Sequence, residues 1–98
     1  MIVQDFVVPT KTANKVYRLL SRDVGPAVDV KHVAAGSFFA QFGPFTLSSQ
    51  RLNESGPCDL RLSFHEDVDG GHQMLYKSVS ERAATLCAEG ANSLDLPN

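Results

Sequence analysis

The sequence predicts an α+β fold, a largely antiparallel sheet of four to five strands with two helices packed on one face. Three observations carry that expectation. Hydrophobic periodicity shifts from two toward 3.6 after Pro9, returns to two between Val28 and Phe64, and becomes helical again from His72. Gly25-Pro26, Gly43-Pro44 and Gly56-Pro57 stand at breaks between the runs. The chain has 98 residues, 43% hydrophobic and 20% charged, which fits one domain able to bury roughly two-thirds of its unfolded surface. That domain is placed at residues 1–90, with 91–98 as a flexible tail.

Each element follows in order. IVQDFVV is rich in β-branched residues and ends at Pro9, so Ile2–Val8 reads as a strand. Ala13, Val16, Tyr17, Leu20 and Val24 then fall on one helical face, with Thr10 or Thr12 as N-cap and Gly25-Pro26 as the stop. Val28, Val30 and His32 alternate with their neighbours, and Ala35-Gly36-Ser37 is a turn. Phe38, Ala40 and Phe42 alternate with Phe39 and Gln41, and Phe45–Leu52 resumes the strand pattern after Gly43-Pro44. In the next run, Leu60, Leu62 and Phe64 oppose Asp59, Arg61, Ser63 and His65, giving one dry and one wet face. Leu75, Val79, Arg82, Ala83, Leu86 and Cys87 share a face of a helix spanning His72–Glu89 and ended by Gly90. A capping-box match at Ser78–Glu81 offers a competing start near Val79, which would leave HQMLYK as a strand. The uninterrupted apolar stripe favours the longer helix.

Composition narrows the class of function. The N-terminal segment is interrupted by Asp5 and stopped by Pro9, too short and too acidic for a signal peptide or a membrane span, and a cytoplasmic location is expected. Cys58 and Cys87 form no CxxC and are read as free buried thiols. Net charge is −2, yet residues 1–51 carry six basic against three acidic residues while 52–98 carry three against eight. Such polarity favours oriented docking or self-association over wholesale nucleic-acid binding.

The densest cluster of titratable groups is SFHEDVDGGHQ, residues 63–73. It fails the calcium-loop pattern, because aligning Gly70 to the required glycine puts His65 at the first ligand position and Tyr76 at the twelfth. It also fails HExxH, since the second histidine position is Asp69 and the run enters Gly70-Gly71. A looser metal-dependent enzyme centred on His65, Asp67 and His72 is kept as a second alternative. The favoured reading is a solvated turn with no metal and no cofactor. No GxGxxG, P-loop or GxSxG pattern occurs, and Cys58 with His32 is a weak catalytic pair, so no catalytic residue is assigned.

Two patterns point to binding. Phe38, Phe39, Phe42 and Phe45 place four rings within eight residues, and adjacent Phe38 and Phe39 must face opposite sides of a sheet. Residues 33–50 lack Lys and Arg, which favours core or a protein interface, including a homodimer, over base stacking. Lys11, Lys15, Arg18 and Arg22 recur at i, i+4, i+7 and i+11, one basic ridge on the first helix. The sequence is therefore read as a small non-enzymatic interaction module, a regulator or inhibitor of the kind phages encode, that docks a protein with an acidic surface through this ridge. The first alternative is a nucleic-acid-binding domain using the same ridge. Helix, three strands, helix is the order of a double-stranded-RNA-binding domain, but where such domains present lysines this chain has Asp69-Gly70-Gly71-His72.

Overall fold

The computed structural model describes residues 1–51, 57–65 and 71–94, with side chains described through Gly90. The chain runs β1 (Ile2–Val8), α1 (Thr10–Asp23), β2 (Val28–Ala34), β3 (Ser37–Phe42), β4 (Phe45–Arg51), β5 (Cys58–Phe64), α2 (Gln73–Leu94). The five strands form one sheet in the order β1-β5-β4-β3-β2, antiparallel at every pairing. This is the α+β architecture that the periodicities predict. The predicted loop at 53–57, apart from Pro57, and the predicted turn at 68–71, apart from Gly71, lie outside the described residues.

Register explains the core. Val8, Phe38, Ala40, Phe42, Phe45, Leu47, Cys58, Leu60, Leu62 and Phe64 project from one face of the sheet and are buried. Val16, Leu19 and Leu20 of α1 and Val79, Ala83 and Cys87 of α2 join them in a single cluster. Tyr17 closes over it, its ring edge-on to Phe38 and Phe42 at 5.5 and 5.1 Å between centroids. The opposite face is wet. Its central row reads Asp5, Arg61, Ser48, Phe39, Lys31 across the sheet, and Arg61 donates from Nε to the Asp5 carboxylate at 2.8 Å. That hydrogen bond, and then the charge behind it, holds the Arg61 guanidinium above its ordinary pKa.

The hairpin between β3 and β4 is a two-residue loop, Gly43-Pro44, with Phe42 opposite Phe45 and Gly43 at φ +51°. Glycine at the first loop position with positive φ matches the twist of the flanking strands. Strand β2 is different. It pairs only with β3, is exposed along its whole length, and its register shifts twice, with Asp29 in the left-handed region at φ 51°. Bulges of this kind blunt an open sheet edge against further pairing.

Three details depart from the sequence reading. Helix α1 is capped by Pro9, whose carbonyl accepts from the N–H groups of Thr12 and Ala13, and no side chain caps it. Thr10 instead places Oγ1 3.4 Å from Cys58 Sγ, and Thr12 is buried beneath α2. Helix α2 begins at Gln73, excluding the strand reading of HQMLYK, and it passes through Gly90 to Leu94 rather than stopping there. Residues 91–94 thus belong to the helix and not to a tail. Arg82, placed by periodicity on the apolar face, is exposed and pairs with Asp23 at 3.2 Å.

Candidate functional site

The two helices lie antiparallel on the sheet: Thr12 meets Gly90 at one end and Asp23 meets Arg82 at the other. Helix geometry then fixes where the predicted ridge goes. At 100° per residue, Lys11, Lys15, Arg18 and Arg22 fall within about 60° of one another, on the side opposite the buried Ala13, Val16 and Leu20. All four are exposed. Leu19 and Thr12 flank the ridge on the α2 side, whereas Asn14 and Tyr17 flank it on the β2 side.

On the α2 side the ridge forms one wall of an open groove. Lys15, Arg18 and Arg22 line it with Leu19 and Leu86, and it continues over Arg82, Glu81 and Thr85 toward Lys77 and Met74. The floor is apolar. Leu86 is half-buried and Leu19 lies beneath the cationic side chains. At one end Asp23 bridges the helices, accepting from Arg22 at 3.0 Å and from Arg82 at 3.2 Å. These pairs are solvent-facing, with both arginines more than half exposed, so they are weak tethers and leave the guanidinium groups open to a competing anion.

Charge is sorted by layer as well as by half. The spans of α1 and α2 together hold Lys11, Lys15, Arg18, Arg22, Lys77 and Arg82 against Asp23, Glu81 and Glu89, a net of +3. The rest of the chain holds Lys31, Arg51 and Arg61 against eight carboxylates, a net of −5. Periodicity found the α1 half of this surface. The contribution of Lys77 and Arg82 could not be read from sequence, because it depends on which helix faces meet.

The phenylalanine cluster resolves into core and surface. Phe42 and Phe45 are fully buried and Phe38 is 7% exposed, so these three are spent inside the fold and are not interface residues. Phe39, 40% exposed, is alone among them on the wet face. The opposite-face argument for adjacent Phe38 and Phe39 thereby selects which ring is available to a partner.

Of His65, Asp67 and His72, only the two histidines are among the described residues. The ring of His65 bonds through Nε2 to Thr46 Oγ1 at 2.5 Å, and the His65 backbone N–H donates to the Pro44 carbonyl at 2.8 Å. His72 precedes the first turn of α2, where its carbonyl accepts from the Tyr76 N–H, and Asp67, with Glu66 and Asp69, lies outside the described residues. No group of three or more potential ligands converges among the described residues. Cys58 and Cys87 are free and buried. Burial pushes the Cys87 thiol up to about 11, which removes thiolate character at neutral pH. The polar neighbour of Cys58 is Thr10, while the His32 ring lies toward Phe38.

No helix among the described residues is long and apolar enough to cross a membrane. Comparison with protein-family models, with curated proteins and with solved structures gives no match to this chain.

Proposed function

We propose that the protein is a non-enzymatic interaction module that docks an anionic protein surface through the helical layer, and that it acts in the cytoplasm as a regulator or inhibitor of that partner. The observation that carries this reading is the convergence of Lys15, Arg18 and Arg22 with Arg82 around a groove floored by Leu19 and Leu86. A solvated helix face needs no such arrangement; a docking surface gains long-range steering from its cations and short-range affinity from its apolar floor. The low overall basicity disfavours a nucleic-acid backbone as the partner, since a chain of pI about 5.8 gains less from the counterion release that drives such binding than a basic one does.

The test is charge reversal at Arg18→Glu and Arg22→Glu together. Both side chains are exposed, so the melting temperature should stay within a few degrees of the parent. Proteins retained from host extract by the parent should be lost by the variant, and association should slow with added salt in the parent far more than in the variant. Retardation of random DNA or RNA by the parent at low salt, abolished by the same variant, would instead favour the nucleic-acid reading. Unchanged retention of every ligand would remove the ridge as the site.

A further inference from the structure

Building on the docking surface just proposed, we infer that its occupant is an acidic amphipathic helix of about three turns, laid along the groove between α1 and α2. The length follows from the groove. The groove runs along α2 from Met74 to Leu86, twelve steps or about 18 Å of helix at 1.5 Å per residue, which a partner helix of about three turns matches.

The secondary structure of the occupant follows from hydrogen bonding. Both walls are helices whose backbone groups are satisfied internally, so they offer no ladder of donors and acceptors to an extended strand. A helix brings its own backbone bonds and seats side chains between two antiparallel neighbours, as a third member of a bundle does. Its chemistry follows from the lining. Cations on both walls, six against three acids over the two helices, call for carboxylates; Leu19 and the half-buried Leu86 beneath them call for an apolar stripe on the same ligand. A phosphate backbone satisfies the first demand and gains nothing from the second.

The occupant also explains the state of Asp23. Its carboxylate already sits between Arg22 and Arg82, the position an incoming acidic side chain would take, and it is tied there only by solvent-facing pairs. A ligand carboxylate at this end of the groove competes with Asp23 for the two guanidinium groups, and one at the other end meets Lys15 and Arg18.

The experiment uses the full chain and two synthetic peptides of about fourteen residues with identical composition. One places leucines at i, i+3, i+4 and i+7 with glutamates elsewhere; the other scrambles that order. Binding is followed by fluorescence anisotropy up to millimolar peptide, alongside a random DNA duplex. The patterned peptide should bind about tenfold or more tightly than the scrambled one, gain helical circular dichroism on binding, and lose at least about fivefold in affinity with Leu86→Gln or Leu86→Ala protein, whichever keeps the parent melting temperature. Equal binding of the two peptides, weakened by Arg18→Glu and Arg22→Glu, would overturn the amphipathic helix while leaving the cationic docking surface standing. Binding of neither peptide, with duplex retardation that depends on Arg18 and Arg22, would overturn both in favour of nucleic acid. Binding of no probe at all would overturn this inference alone if the parent still retains a partner from extract.

Discussion

Gly90 of α2 lies directly over Thr12 of α1: a methyl group added at position 90 would stand 2.9 Å from Thr12 Cγ2 and 3.0 Å from its Cβ. Two opposing effects meet at this position. Alanine is favoured over glycine within a helix by about 1 kcal/mol, but Thr12 is only 3% exposed and held under α2 with nowhere to retreat. The steric term should win. Gly90→Ala is expected to destabilise by about 1–3 kcal/mol in urea unfolding, and Thr12→Ala in the same chain should recover most of the loss. Recovery would identify the clash as the cause; a stabilised single variant would mean that the helices ride further apart than described.

The two adjacent phenylalanines should separate cleanly. Phe38 is buried and packs against Tyr17, so Phe38→Ala is expected to cost about 3–5 kcal/mol. Phe39 is substantially exposed on the helix-free face, and Phe39→Ala should cost less than about 1 kcal/mol. Any concentration-dependent association seen by analytical ultracentrifugation should weaken in the Phe39 variant.

Cys87 sets an alkaline limit. Its folded-state pKa is raised by burial from an ordinary 9.0 to about 11, so the folded state holds its proton where the unfolded state has released it. Stability from this group is fully present below pH 9 and is lost as pH rises toward 11. Melting temperatures measured between those values should fall more steeply for the parent than for Cys87→Ala. Disulfide-exchange reagents at pH 8 should modify Cys58 and Cys87 only after denaturant is added, because both are buried.

Asp23→Asn should leave the fold nearly intact and alter the surface. The pairs it breaks are solvent-facing, so the stability loss should stay below about 1 kcal/mol. Arg22 and Arg82 would lose their shared counter-charge. Affinity for an acidic peptide is therefore expected to rise, most visibly at low salt, in the same titration that measures the parent.

Most of the fold was legible because each element carries its own period. The breaks at Pro9, Gly25-Pro26 and Gly43-Pro44 fall where β1, α1 and β3 end, and the stripe Leu75, Val79, Ala83, Cys87 runs through a single helix. What escaped depends on contacts between elements. Gly90 looked like a helix stop because glycine is common there, yet the missing side chain serves the close crossing over Thr12. Thr10 and Thr12 looked like caps, but one faces Cys58 and the other is covered by α2. For the candidate site, spacing alone located Lys11, Lys15, Arg18 and Arg22; Arg82 was assigned to the dry stripe because a helical wheel cannot tell its edge from its centre, and here the edge opens to Asp23.

The sheet order has a consequence for the growing polypeptide. Strands β2 to β5 pair with their chain neighbours, but β1 pairs only with β5, and Asp5 must wait for Arg61, 56 positions later. During synthesis the first strand therefore leaves the ribosome with its hydrogen-bonding edge unpaired until residues 58–64 follow. Closing so distant a pairing is slow compared with the hairpins between them. Strand β1 is thus the last part of the sheet to be sealed, and a nascent chain halted before Cys58 should be captured by chaperones through IVQDFVV.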